Sequence, residues 1–256
     1  MHDLPKSPPA SRPDWAYFLD FDGTLVDIAE RPEAVRVRPD LVELLRALEV
    51  ATGGAVVVVS GRSIATLDRF LAPLRLRAAG LHGLEYRMQR DGDLQRSNGL
   101  DKALDLVRPQ LAALAAGQAA IQLEDKESSI ALHYRRAPEM KEVVGAAAAE
   151  ACRVLGPDFT CLAGKMVYEI KPRDAHKGQV VARFMTAPPF KGRDPVFVGD
   201  DVTDEDGFQV CNARGGISVR VGGADAITEA RYNLPNVEAV MAWLGSLVED
   251  RVGWKR

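Results

Sequence analysis

Cysteine is scarce in this chain, and its few copies are badly spaced for a site. Cys152, Cys161 and Cys211 form no CxxC pair or other metal-ligand spacing. An odd, sparse count fits reduced cytosolic thiols better than a disulfide framework, and Cys152 and Cys161 read as buried apolar thiols, with a pairing of the two as the alternative. No apolar run is long enough to cross a membrane. The stretch Met1 to Asp14 is rich in proline and polar residues and lacks the apolar core of a signal peptide. A cytoplasmic enzyme with a loose N-terminal tail over residues 1–13 is therefore expected. Net basicity is missing too: Lys plus Arg total 33, Asp plus Glu total 36, and the formal charge is −3. No global field draws nucleic acid, so an anionic ligand has to be captured by a local set of groups. What is present is a chain of 256 residues, 46% hydrophobic and 27% charged. That is enough for a substantial core in one domain or two.

The apolar run Trp15-Ala16-Tyr17-Phe18-Leu19 reads as a short buried strand and leads into Asp20-Phe21-Asp22-Gly23-Thr24. Asp22-Gly23 favours a turn. Two carboxylates then stand at the carboxyl end of a strand, where open α/β sheets bind ligands. Nearby carboxylates repel unless a cation or a shared proton intervenes. The pentapeptide fits a hard-metal site with an acid nucleophile and a second acid for proton transfer. Alone, it fits a surface Asp-Gly turn as well.

The same layout recurs downstream. Arg31 to Pro39 reads as a loop, and Pro39-Asp40 opens a helix carrying Leu41, Leu44, Leu45 and Leu48 at helical spacing. Ala55-Val56-Val57-Val58-Val59 is an unbroken apolar run, as in parallel strands covered on both faces. Ser60-Gly61-Arg62 stands at its end, and Ser63 begins the next helix. If the two strands are neighbours, Ser60 lies near Asp20, where a hydroxyl and free backbone N–H groups suit a phosphate oxygen. An ordinary cap or turn is the alternative for Ser60. A strand over Leu76 to Gly80 ends in Leu81-His82-Gly83, with His82 read by itself as a structural group. Tyr86 to Arg96 reads as a hairpin turning at Asp91-Gly92.

The texture changes near Gly99. A helix is expected from Asp101 to about Ala116, then extended segments Ile121 to Glu124 and Ile130 to Tyr134. An Ala-rich helix from Pro138 to Leu155 follows, then Phe159 to Leu162 and Met166 to Ile170 around Ala163-Gly164. This repeat of helix and hairpin predicts a small α+β domain with an antiparallel sheet, one face of which can stay open. Glu124, Lys126, His133, Arg135 and Glu169 are either a hydrogen-bonding surface or a solvated face.

Core texture returns at His176-Lys177-Gly178, which starts a helix. Pro195-Val196-Phe197-Val198-Gly199 is a third buried strand and runs into Asp200-Asp201-Val202-Thr203-Asp204-Glu205-Asp206. An acidic cluster of this density beside Asp20 demands a cation if any of it is buried. Thr203 is read as a helix cap through Asp206. Ile217 to Val221 is a further strand, and Leu234 to Val248 a terminal helix.

Asp20/Asp22, Ser60, Lys177 and Asp200 with Asp204 resemble, in order and residue type, the four motifs of haloacid dehalogenase-like phosphatases. The resemblance implies an α/β fold, a doubly wound parallel-sheet core (residues 14–98 and 172–256) with an inserted α+β cap (99–171). It implies Asp20 as nucleophile, Asp22 as general acid and base, and Mg²⁺ on the Asp20 carboxylate, the Asp22 carbonyl and Asp200. Asp201 and Asp204 would support the metal, or Asp204 would support Lys177. Ser60 and Lys177 would hold the phosphoryl oxygens, and Thr24 would orient Asp22 or the phosphoryl group. Leu123 to Arg135, Gly80-Leu81-His82-Gly83-Leu84-Glu85, Tyr168-Glu169-Ile170-Lys171-Pro172 and Gly199 to Glu205 further resemble the trehalose-6-phosphate phosphatases. Together the likeness spans roughly Trp15 to Leu247. It implies sugar contacts by Glu124, Lys126 and Glu169 and substrate contacts by Gly61, Arg62 and His82. Phe21 and Asp27 depart from the family's usual Tyr and Pro, outside the proposed chemistry. The expected partner is a small-molecule sugar phosphate, with no nucleic acid and no membrane, and a monomer is expected. Sucrose 6-phosphate or a mannosyl phosphate as substrate, a phosphomutase, and a non-catalytic phosphoacceptor are the alternatives.

Overall fold

The computed structural model describes residues 7–29, 34–96, 100–126, 129–164, 166–173, 175–223 and 227–252. Arg31, Pro32 and Glu33 of the expected loop, the expected boundary at Gly99, and Glu127 and Ser128 of the second motif set lie outside them.

The run ahead of Asp20 forms β1 (Trp15–Asp20), with all of its residues buried. In chain order there follow α1 (Pro39–Ala51), β2 (Val56–Val59), α2 (Ile64–Leu71), β3 (Arg77–Gly80), β4 (Glu85–Arg87) and β5 (Gln95–Arg96). Next come α3 (Leu100–Ala103), α4 (Arg108–Gly117), β6 (Gln122–Asp125), β7 (Ile130–His133), α5 (Lys141–Leu155), β8 (Phe159–Gly164) and β9 (Val167–Pro172). The chain continues through α6 (Lys177–Phe184), β10 (Asp194–Gly199), α7 (Glu205–Ala213), β11 (Ile217–Val221), β12 (Tyr232–Leu234) and α8 (Val237–Val252). The chain divides into two compact units, one of residues 1–95 with 176–256 and the other of residues 96–175.

The first unit holds an eight-stranded sheet in the order β12-β11-β10-β1-β2-β3-β4-β5. Its strands from β12 to β3 pair in parallel, and β4 lies antiparallel to β3. Side-chain alternation along β1 splits the core into two layers. Tyr17 and Leu19 pack with α1, α2 and α8, whereas Ala16 and Phe18 pack with α6 and α7. Helices thus cover both faces, which is why β1, β2 and β10 carry apolar residues at nearly every position. This is a doubly wound α/β fold.

The second unit is a four-stranded antiparallel sheet, β6-β7-β9-β8. Leu111 of α4 and Val144, Ala148 and Ala151 of α5 cover one face together with Ile130, Leu132 and Ile170.

Four local expectations are corrected. The helix predicted from Asp101 is broken: α3 ends at Ala103, a 3-10 turn spans Leu104–Leu106, and α4 starts at Arg108. Pro109 has no N–H to give, and its ring collides with the carbonyl four residues back. The terminal helix starts at Val237, not Leu234. Pro235 disfavours helical dihedrals at Leu234, so Tyr232–Leu234 adds β12 to the sheet edge instead. Thr203 does not cap a helix. Asp201 and Asp204 form a reciprocal capping box around the 3-10 turn Val202–Asp204. The tail is not loose from Pro9 onward: Trp243 Nε1 of α8 donates to Pro9 O at 2.8 Å, and Ser11 Oγ donates to Trp243 O at 2.9 Å. No helix of the described residues is long and apolar enough to cross a membrane.

Candidate active site

Strand register brings the separate motifs together. Asp20 of β1 lies opposite Val59 of β2, and Leu19 lies opposite Val198 of β10. Ser60 and Asp200, each one residue past its strand, therefore flank Asp20 at the carboxyl edge of the sheet. Lys177 opens α6 beneath the same edge. Its Nζ donates to Asp20 Oδ1 and to Asp204 Oδ1, each at 2.6 Å. These three side chains are almost wholly enclosed, with Asp20 4%, Lys177 3% and Asp204 0% exposed. The other oxygen of Asp204 accepts the backbone N–H groups of Asp200 (3.1 Å) and Asp201 (3.0 Å). Asp204 thus locks the acidic loop to the lysine.

Carboxylate oxygens of Asp20, Asp200 and Asp204 lie within 4.8 Å of one another. Burial pushes Asp20 up to about 8; Asp204 and Asp200 add to the rise and Lys177 opposes it. Burial likewise pushes Asp200 up to about 6, helped by the charges of Asp204 and Asp201. Burial pulls Lys177 down, but Asp20 and Asp204 outweigh it and hold the ammonium above the ordinary lysine range. With all three acids ionised, three carboxylates would stand against one ammonium, an excess of two negative charges that burial resists and a cation would relieve. An all-oxygen donor set with that excess fits a hard divalent cation. The geometry also divides the three acids. Both oxygens of Asp204 are engaged by Lys177 and the loop N–H groups, whereas Asp20 has only Oδ1 on Lys177. Gly23, at φ +82°, gives Asp200 its place: a Cβ there would overlap the Asp200 carboxylate.

The remaining residues of this edge occupy definite positions. Ser60 is buried, and its Oγ accepts the Arg62 N–H at 3.0 Å, which leaves its own O–H to donate. Arg62, expected on the substrate, grips Asp22 with two bonds of 2.7 Å, Nε to Oδ2 and Nη2 to Oδ1. Thr24 is fully buried and its hydroxyl finds no partner among the described residues, so the expected contact with Asp22 is not made. The tight turn that returns Leu25 N and Val26 N to Phe21 O turns Thr24 inward. Asp201 is exposed and its carboxylate caps Val202 N at 2.6 Å. His82, at φ +55°, sits against Gly61, where a Cβ would come within 2.8 Å of its Nε2.

In the second unit, register aligns Glu124, Ala131 and Glu169 across β6, β7 and β9. Their face is opposite the one buried under α4 and α5. Lys126 Nζ lies 3.3 Å from Glu169 Oε1 and 3.9 Å from Glu124 Oε2. The three candidate sugar ligands thus form one cluster.

The family model for trehalose-phosphatase matches residues 18–237. The chain is 40% identical to a probable trehalose-phosphate phosphatase of Sinorhizobium fredii, over 91% of this chain and 88% of that protein. It is 39% identical to the trehalose-6-phosphate phosphatase of Escherichia coli, over 90% of this chain and 85% of that protein. The chain belongs to the trehalose-phosphatase family. The trehalose-6-phosphate phosphatase of Aspergillus fumigatus superposes with a TM-score of 0.74 at 26% identity, covering 91% of this chain and 92% of that one. The fold of this family member is also similar to that of a phosphatase of the HAD superfamily from Bacteroides thetaiotaomicron, with a TM-score of 0.59 at 16% identity over 91% of this chain and 95% of that one.

Three further side chains contribute to these clusters through partners distant in sequence. Ser129 Oγ donates to Glu169 Oε1 at 2.8 Å. His133 Nε2 lies 3.0 Å from Glu124 Oε2; its alternation with Ala131 on β7 is a usable signal for that face. Glu85 Oε1 accepts Ile64 N at 2.7 Å and ties the start of α2 to the His82 turn. No local pattern announces that bond.

Proposed function

We propose that this chain hydrolyses trehalose 6-phosphate to trehalose and inorganic phosphate, through an aspartyl-phosphate on Asp20 and with Mg²⁺ as cofactor. The observation that carries the reading is the buried Asp20–Lys177–Asp204 network at the edge of a sheet that belongs to this family. Asp20 attacks phosphorus, and the bond to the sugar oxygen breaks. Asp22 gives that oxygen its proton, then takes one from the water that attacks the aspartyl-phosphate, so phosphate leaves and Asp20 is restored. Lys177 and the Ser60 hydroxyl hold the phosphoryl oxygens. Lys177 also keeps Asp20 oriented, and Asp204 keeps Lys177 in place. Asp20, the Asp22 carbonyl and Asp200 are the groups that would hold Mg²⁺, with Asp201 and Asp204 behind them. When bound, the ion offsets negative charge on the phosphoryl group.

The α+β unit supplies the sugar specificity. Glu124, Lys126 and Glu169 offer charge-assisted hydrogen bonds to neutral hydroxyls, and such a site rejects substrates that lack those hydroxyls. The three cysteines are free, which accords with a reducing, cytoplasmic setting.

Phosphate release from trehalose 6-phosphate, sucrose 6-phosphate and glucose 6-phosphate, each with and without Mg²⁺, tests the reading. Mg²⁺-dependent release with a strong preference for the first is expected. Comparable rates on all three would remove the disaccharide claim, and full turnover by Asp20→Asn would remove the mechanism.

A further inference from the structure

The geometry points to Arg62 as the positioning residue for Asp22, held in turn by the ring of Phe70; this rests on the role given to Asp22 above. Arg62 engages both oxygens of the Asp22 carboxylate at 2.7 Å. A two-bond fork fixes the plane of a carboxylate as well as its place, which a single bond or a lysine does not. The pair is sheltered, with the Arg62 side chain 16% and the Asp22 side chain 34% exposed.

The guanidinium is itself supported. Its central carbon lies 5.2 Å from the centre of the Phe70 ring. Phe70, on α2, stacks on Phe21 with ring centres 5.9 Å apart and planes 20° apart. Phe21 is fully buried and separates Asp20 from Asp22 in the chain. The contacts therefore close a loop: Phe21 carries Phe70, Phe70 carries Arg62, Arg62 grips Asp22, and one peptide bond returns to Phe21. A closed loop leaves the Asp22 side chain a single orientation. The Arg62 backbone is pinned separately, its N–H on Ser60 Oγ and its carbonyl on Leu81 N, both at 3.0 Å. A side-chain substitution can therefore remove the grip and spare the turn.

The grip acts where Asp22 works as a carboxylate, which is the attack of water on the aspartyl-phosphate. Water gives its proton to Asp22, its oxygen bonds phosphorus, and the bond from phosphorus to the Asp20 oxygen breaks. An aryl phosphate isolates this step, because a phenolate leaves without a proton and the first step stays fast.

The test is rapid-mixing kinetics of the Mg²⁺-loaded enzyme on p-nitrophenyl phosphate, for wild type, Arg62→Met and Phe70→Leu. Arg62→Met should show a burst of p-nitrophenol equal to the enzyme present, then a steady rate lower by about 10- to 100-fold, part of the usual contribution of a positioned base. Its inhibition by inorganic phosphate should match wild type. Phe70→Leu, an apolar change at a ring that contacts Arg62 and Phe21, should show the same pattern with a smaller loss of about 3- to 10-fold. A parallel rise in KM and in the phosphate inhibition constant, without a burst, would place Arg62 on the phosphoryl group and overturn the assignment. Wild-type rates in both variants would overturn it too. If the wild-type enzyme itself shows no Mg²⁺-dependent turnover of the ester, it is the phosphatase reading that fails.

Discussion

Replacing Asp204 by alanine should destabilise the metal-free protein measurably. Asp204 is 0% exposed and takes three bonds: Lys177 Nζ at 2.6 Å, Asp200 N at 3.1 Å and Asp201 N at 3.0 Å. Breaking one partner out of a buried ion pair costs about 3–5 kcal/mol. Each orphaned N–H adds about 1–3 kcal/mol unless water reaches it. Lys177 keeps Asp20, and the freed loop lies beside solvent, so the terms do not sum in full. A net loss of about 3–5 kcal/mol follows, which for a chain of this size lowers Tm by roughly 8–15 °C. The substitution Asp204→Asn offers a sounder comparison than alanine alone. The carbonyl of the introduced amide can still accept both loop N–H groups, while its NH₂ group faces the ammonium, so this variant should lose about half as much. The assay is thermal unfolding followed by circular dichroism in a chelator at neutral pH. A Tm for Asp204→Ala within a degree or two of wild type would refute the reasoning. An order in which the asparagine variant is the less stable would refute the assignment of the two Asp204 oxygens.

Three further outcomes follow from the same geometry. Gly23→Ala forces a side chain into positive φ, at about 1–2 kcal/mol, and drives it into Asp200. Its Mg²⁺ activation constant should rise about 10-fold or more, and an unchanged constant would separate Gly23 from the metal. Asp200, pushed up to about 6 by burial first and then by Asp204 and Asp201, binds its proton more tightly folded than unfolded. In the metal-free protein its contribution to stability is therefore full below the unfolded pKa and is lost as pH rises through about 6. The divalent ion needs the ionised form, so the Mg²⁺-induced rise in Tm should be larger at about pH 7.5 than at about pH 5.5; equal shifts would contradict this. Glu124→Ala should lower kcat/KM for trehalose 6-phosphate by roughly 10- to 100-fold while sparing an aryl phosphate, and equal losses would remove its sugar role.

The elements that place the chemistry were readable because their signals are one-dimensional. An unbroken apolar run such as Val56 to Val59 states that both faces are covered, and a polar residue straight after it states where the strand ends. That is how Asp20, Ser60 and Asp200 could be set at one sheet edge. What escaped depends on partners distant in sequence. The reach of Arg62 to Asp22, forty residues away, leaves no mark in the local sequence. The burial of the Thr24 hydroxyl without a partner among the described residues is set by its turn and is equally silent there. The capping box of Asp201 and Asp204 outcompeted Thr203 because Asp204 had a second task on Lys177. Pro109 and Pro235 were legible in principle, but an apolar period that runs across a proline hides the break.

The position of β1 has a consequence for how the chain is made. Its two neighbours are β2, close behind it, and β10, which begins at Asp194. Lys177, which compensates Asp20, lies 157 residues further on. A chain emerging from the ribosome therefore holds this wholly buried strand with one edge unpaired while the whole α+β unit is synthesised. Contacts of such sequence separation form late and slowly. The α+β unit, built from local hairpins and helices, can close its own core in that interval. The strand that carries Asp20 is thus the first of the described strands of this sheet to be made and among the last to be completed.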